Sequence, residues 1–393
     1  MSIKLGEICK FQSGGTPAKG KAEYFNGQIP WITTTALTGG FIDETDAVDW
    51  ITDKAIKETA AKIVPANSIM VGTRVGVGKV AINKVDMSTS QDIISLLDID
   101  EQVWDKNYLC KFIQGKSSYL NSQARGATIK GIKIDVLSSL QIPDVTIQDQ
   151  RHIASIIDAV TTIIKERNSE LIMLDELIKA RFVEMFGTPF ETSNWDVKEL
   201  KDLSESMVDG SNVNPGYYES EGDVLFLRIQ NVWRNEFRLD DSVYITSEVN
   251  KQNYYDTSLK NGDLLITKIG RYYTKDSSLG RVSVYLGEDD RANYSNNIMR
   301  VRLIDSMNSE FVNVLLNLDE YQSFIKRTSK GGTDKRALSK SLIGSYPIIA
   351  PPRALQDSFV EFVKLVDKSK VAVQKALDEA QLLFDSLMQE YFG

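Results

Sequence analysis

The sequence predicts an α+β protein built twice over: two globular α/β heads separated and spaced by two long helices that form an antiparallel coiled coil with a pseudo-twofold repeat. Three observations predict it. A long amphipathic segment, residues 148–187, returns at the end of the sequence, where Glu390-Tyr391-Phe392-Gly393 matches Glu184-Met185-Phe186-Gly187 at an offset of 206 residues. At that offset Gln150 falls on Gln356, Ile153 on Phe359, Ile157 on Val363 and Val160 on Val366. Each long segment also follows a stretch of short β-rich runs broken by turn residues.

In chain order, the first head covers residues 1–147. Ser13-Gly14-Gly15-Thr16-Pro17, Asn26-Gly27, Gly39-Gly40 and Gly76-Val77-Gly78 punctuate strand-like runs such as Ile29-Pro30-Trp31-Ile32 and Ser68-Ile69-Met70-Val71. Helices are expected over residues 53–62 and 107–123. Pro143 breaks the chain before the first long helix, residues 148–187, and Gly187-Thr188-Pro189 ends it. The second head, residues 188–350, repeats the plan without copying the sequence: Gly262-Asp263-Leu264-Leu265-Ile266 answers Asn67-Ser68-Ile69-Met70-Val71, and Gly331-Gly332-Thr333 answers Gly126-Ala127-Thr128. Pro351-Pro352 leads into the second long helix, residues 351–393.

The helices carry a seam. Ile157, Ile164, Leu171 and Ile178 recur every seven residues, with Val160 and Leu174 three residues after members of that row. The second copy offers Val363, Leu377 and Phe384 in one row, interrupted by Lys370, and Val366, Val373 and Leu387 in the other. Arg167 holds the register of Val373, and Arg181 that of Leu387, so the copies differ where they match. This suits packing of one copy on the other. At 1.5 Å per residue a helix of this length spans about 60 Å, which suggests a spacer.

With 393 residues, 42% hydrophobic and 25% charged, the chain reads as an ordinary soluble protein of two domains plus connecting structure. Two cysteines, Cys9 and Cys110, show no pairing pattern, and a cytoplasmic location is the expectation. No apolar run is long enough to span a membrane. A net charge of −8 argues against a polyanionic partner, yet Lys326, Arg327, Lys330, Lys335, Arg336 and Lys340 crowd around the single acid Asp334. Local field decides, because charges farther apart than about 10 Å are screened.

Gly14-Gly15-Thr16-Pro17 followed by Tyr24-Phe25-Asn26-Gly27-Gln28-Ile29-Pro30-Trp31-Ile32, the paired Gly-x-Thr segments, and the prolines before Gln-initiated helices stand in this order over nearly the whole length. In these features the chain resembles the DNA specificity subunit of bacterial type I restriction-modification systems. The resemblance implies that the heads are target recognition domains, each reading half of a bipartite double-stranded DNA sequence while the helices set the gap. It also implies two modification (methyltransferase) subunits docked on the helices, with restriction subunits joining that core. S-adenosylmethionine would then belong to the methyltransferase, ATP and Mg to the restriction subunit, and no cofactor to this chain.

Catalytic motifs are missing. Gly76-Val77-Gly78-Lys79 imitates a phosphate loop, but Val80 stands where Ser or Thr is needed and Val80-Ala81-Ile82 continues as a strand rather than opening a helix. His152 is the sole histidine, so no metal pair forms and no metal site is expected. Ala350-Pro351-Pro352-Arg353 lacks both ends of an amino-methyltransferase segment, and the chain is expected not to be an enzyme. Reading DNA requires amides, hydroxyls and guanidiniums on short loops flanked by cations. The candidates are Thr33, Thr34, Thr73, Arg74, Lys79, Gln91, Arg125 and Lys130 in the first head. In the second they are Arg228, Gln230, Asn231, Lys268, Arg271, Lys275, Asn296, Asn297, Lys335 and Arg336. Trp31 and Trp233 read as core or wall residues. Two other classes remain open: a protein-only scaffold with peptide- or sugar-binding domains, favoured by the acidic pI, and an enzyme with an unrecognised site.

Overall fold

The computed structural model describes residues 2–126, 128, 130–191 and 195–393. Ala127 of the first Gly-x-Thr segment lies outside the described residues. The chain divides into two compact units, residues 1–169 with 373–393 and residues 170–372, so each unit takes one head and half of each long helix.

In the first unit a five-stranded sheet runs in the order Lys10–Ser13, Ile93–Leu97, Ile69–Gly72, Val80–Asn83, Phe41–Ile42. A four-stranded sheet holds Phe25–Ile32 parallel to Met87–Thr89. The second unit repeats the scheme: Leu264–Thr267 lies between Ile298–Leu303 and Val282–Val284, and Val224–Leu227 runs parallel to Ala292–Tyr294. The apolar runs read as strands are central strands with every residue buried, Ile69–Gly72 and Leu264–Thr267. Each is entered through a left-handed residue, Asn67 at φ 60° and Gly262 at φ 88°, whose N–H bonds to Asn83 O and Tyr285 O respectively. Such turns favour Asn and Gly, which tolerate positive φ.

Two expected helices are shorter than the sequence suggested. The first ends at Glu58, where Thr59 turns extended and its hydroxyl bonds back to Ala55 O at 2.7 Å. The other breaks at Lys116 into Lys106–Gly115 and Ser117–Gln123. The long helices are continuous over Ile147–Phe186 and Arg353–Phe392. Gly187, at φ 87°, ends the first as a left-handed cap, its N–H bonding to Val183 O.

A buried glutamine fixes each helix to its head. Gln150 accepts from Asp105 N–H at 2.8 Å and donates to Val103 and Val145 carbonyls. Gln356 does the same with Asn308 N–H at 2.8 Å and with Ser306 and Pro351 carbonyls. Asp105 and Asn308 are in turn the N-caps of Lys106–Gly115 and Ser309–Asn317, so one amide ties two helix starts together. A second tie is reversed in sign between units: Asp158 on the helix pairs with Lys111 on the head at 2.8 Å, whereas Lys364 pairs with Glu310 at 2.9 Å.

The seam residues are all shielded. Ile157, Val160, Ile178, Val366 and Val373 are buried; Ile164, Leu171, Leu174, Val363, Leu377, Phe384 and Leu387 are half-buried. Within the second unit Phe182 and Phe186 pack on Phe359 at 5.5 and 5.6 Å, while Asp175 pairs with Lys370 at 2.6 Å, so the two helix halves run antiparallel. Within the first unit the Phe392 ring lies 5.4 Å from that of Tyr108, in the core that holds Ile153 and Ile157.

Replacing Gln356 by Ala strands a buried N–H and two carbonyls, and a stranded buried polar group costs about 1–3 kcal/mol. Urea unfolding followed by tryptophan fluorescence should show Q356A less stable by at least that amount. An unchanged midpoint would show the clamp to be idle.

Candidate nucleic-acid interface

Both heads hang their loops on the same backbone bonds. Gly14 N–H bonds to Ile93 O and Gly210 N–H to Ile298 O; Gly15 pairs with Thr89 O and Ser211 with Tyr294 O; Ser90 with Ile32 O and Ser295 with Leu227 O. Thr73 N–H likewise meets Asp92 O where Lys268 N–H meets Asn297 O, and Ile132 meets Thr73 O where Leu338 meets Lys268 O. Gly14 and Gly210 are needed for this approach. A Cβ on either would sit 2.2 or 2.3 Å from the carbonyl oxygen of Ser90 or Ser295. The frame therefore makes Thr33 equivalent to Arg228, Thr73 to Lys268, and Gln91 to Asn296.

In the first head the frame gathers the eight candidates into one loop cluster. Arg74 and Arg125 both bridge to Gly131, next to Lys130, and Thr73 and Arg74 N–H groups reach Asp92 O beside Gln91. Arg74, Lys79, Gln91, Arg125 and Lys130 are exposed, and Thr33 is half-buried with its hydroxyl 2.8 Å from that of Thr35. Thr34 and Thr73 are buried, and the Thr73 hydroxyl bonds to Asp92 O, so these two shape the loop rather than offer free groups. The phosphate-loop imitation is a tight turn between strands, Gly76 and Gly78 having φ 94° and 81°. His152 is exposed on the long helix and Trp31 is buried, its indole N–H bonding to Gly15 O.

In the second head Arg271 pairs in register with Lys335, and Gly270 with Arg336. A cleft beside them is lined by Ile229, Gly270, Arg271, Asn297, Asp334 and Lys335. Arg271, Lys275, Asn296, Lys335 and Gln230 are exposed. Several charges are partly spent: Lys268 Nζ lies 2.7 Å from Asp209, Arg271 Nε 3.7 Å from Asp334, and Arg228 holds both the backbone oxygen and the carboxylate of Asp241. Asn231 departs from the expectation. It is wholly buried, with Oδ1 taking Arg228 N–H and Nδ2 giving to Arg238 O and Asp241, so it clamps the loop and has nothing left for a base edge.

Sequence reasoning missed an aromatic and guanidinium cluster. Trp233 is half-buried with the guanidinium carbons of Arg238 and Arg281 at 3.5 and 3.6 Å from its ring centre; two groups that close lie on opposite faces. Arg281 is buried, and burial pushes its guanidinium below the ordinary value, with the neighbouring Arg238 charge adding to that. Arg336 sits 4.3 Å from the Tyr272 ring centre. The adjacent Tyr272-Tyr273 between Arg271 and Lys275 was the available signal. Among the described residues no group of three or more His, Cys, Asp or Glu could hold a metal.

A duplicated head, each copy carrying polar, cation-rimmed loops on one frame and each followed by a 40-residue helix, is the layout of a two-headed specificity module. The sequence family described as type I restriction modification DNA specificity domain matches residues 1–173 and again 192–380, and the chain belongs to it. The MjaIX specificity subunit of Methanocaldococcus jannaschii is 26% identical over 58% of this chain and 57% of its own length. The EcoR124I/EcoR124II specificity subunit of Escherichia coli is 32% identical over 40% of each chain. The aligned stretches thus span little more than half of one relative and two fifths of the other. The crystal structure of a type I restriction-modification S subunit from M. genitalium shares the fold, with a TM-score of 0.59 at 16% identity over 100% of this chain and 96% of that one.

Asn231→Ala should lower the melting temperature, because it strands buried loop groups. Gln230→Ala, one residue away and exposed with one 3.2 Å bond to Asp241, should lower it less. Differential scanning fluorimetry separates the two, and equal melting would remove the clamp assignment.

Proposed function

We propose that this chain reads a bipartite double-stranded DNA target, one half per head, and carries the subunits that act on that DNA without supplying a catalytic group. The single observation behind this is the shared hydrogen-bond frame: the same five backbone bonds hold different side chains in the two heads. Thr33 and Gln91 in one stand where Arg228 and Asn296 stand in the other. A common frame with unlike donors presents two different half-sequences for reading, since guanidiniums suit guanine and amides suit adenine. Exposed Lys79, Lys130, Lys275 and Lys335 would neutralise phosphates and position the duplex.

The long helices fit the second role. They keep Ile172, Met173, Leu177, Leu365, Val371 and Leu382 exposed, far more apolar surface than two solvated helices need. Two modification (methyltransferase) subunits docked on them, joined by restriction subunits, account for that surface. S-adenosylmethionine, ATP and Mg would then be held by those partners. No helix among the described residues is long and apolar enough to cross a membrane, and a cytoplasmic setting fits such an assembly.

Footprinting of the assembled complex on its mapped target should protect two separated half-sites. Lys335→Ala should weaken binding to all sequences and lower the salt slope by about 1, as loss of one phosphate contact does, whereas Arg271→Ala should relax a single base position. One contiguous footprint, or the same pattern from both variants, would count against the reading.

A further inference from the structure

We propose that Tyr273 is a stacking residue of the second head, wedging against a base step in the half-site that this head reads and partly unstacking it. The proposal rests on the DNA-reading function above and adds a residue and a mode of recognition to it.

The two heads differ in the length of one loop. Gly78 and Gly280 both close a turn by bonding back to the residue that ends the central strand, Gly72 and Thr267. Between those points the first head has five residues, 73–77, and the second has twelve, 268–279. The short loop carries no aromatic residue; the long one carries Tyr272 and Tyr273. Tyr273 is 73% exposed, more than any other large apolar side chain among the described residues.

This loop is braced rather than loose. Tyr272 N–H bonds to Asp334 O at 2.7 Å, and the Arg336 guanidinium covers the Tyr272 ring. The Tyr273 ring stands edge-on to that of Tyr272 at 5.0 Å. On the far limb Arg281 donates to the Ser277 and Asp276 carbonyls at 3.0 and 2.5 Å, and Arg281 is itself pressed against Trp233. Burying a guanidinium with carbonyls as its partners is costly. Its effect here is to hold the strand-flanking end of a loop whose tip is an exposed ring between Arg271 and Lys275.

A fixed aromatic ring flanked by cations suits nucleic acid. The cations meet phosphate, and the ring stacks on any base face at little further entropic cost because its loop is already ordered. Inserted side chains partly unstack a step and bend the duplex, and pyrimidine–purine steps yield most readily. Tyr273 would therefore favour a flexible step in one half-site, and the first head, lacking the ring, would leave its half undistorted.

The test uses the full-length chain with its co-expressed methyltransferase subunits and a duplex selected from a randomised pool, with 2-aminopurine replacing in turn each adenine on either strand of both half-sites. Beyond any base that the methyltransferase subunits extrude, wild type should raise fluorescence at one further step in one half-site. Tyr273→Ala should abolish that signal and weaken binding roughly 5- to 150-fold, the range for one lost base stack. Tyr273→Phe should keep both, and melting temperatures should match throughout because the side chain is exposed. Specific binding with Tyr273→Ala indistinguishable from wild type would overturn the wedge alone. A wild-type complex without sequence preference would overturn the DNA-reading function and the wedge with it.

Discussion

A buried primary amide at the root of each long helix is the interaction on which the arrangement depends. Gln150 and Gln356 each accept an N–H from the cap of a head helix and donate to carbonyls on either side of the junction. At such a junction two helix N-termini meet in a dry place, where four orphan N–H groups each would otherwise need partners. One side chain with an acceptor and two donors meets part of that need and sets the direction in which the helix leaves. Charge cannot do this as cheaply, because a buried ion needs a full counter-charge.

The helix–head ties also distinguish the halves. Lys111 of the first head faces Asp158, and Glu310 of the second faces Lys364, so matching positions on the long helices carry opposite sign while their head partners stand about one turn apart. Lys179 adds a pair with Asp319 at 2.9 Å within the second unit. The two pairs of the second unit are partly exposed and contribute little stability each, about 0–1 kcal/mol, whereas Lys111 is buried and depends on its carboxylate partner. Their value lies in telling two otherwise similar halves apart, as does the Asp175–Lys370 pair set into an apolar seam.

Much of the fold was legible because it is written in periodicity. Heptad spacing marked the seam, and the 206-residue offset aligned Gln150 with Gln356 before either was seen to be buried. The turn before each central strand was visible in Asn67 and Gly262, since few residues accept that backbone. The loops were legible only in part. Arg74, Lys130 and Lys335 are exposed as polar loop residues should be, but Asn231, Thr34 and Thr73 are buried, and nothing local separates a spent amide from a free one. The sequence marks Trp233 as a core or wall residue, and only the fold brings Arg238 and Arg281 onto its two faces. Helix ends at Glu58 and Lys116 were decided by a threonine cap and a single off-helix residue, details below the reach of pattern.

Gly14 and Gly210 carry a consequence for how such a molecule can change over time. Each lies where one added carbon would strike a peptide oxygen, and each sits beneath the loop that bears Gln91 or Asn296. Side chains at Gln91 and Asn296 can therefore be exchanged without disturbing the frame, whereas neither glycine can accept a Cβ. Chemical variety at the loop tips is separable from the way each loop is strung.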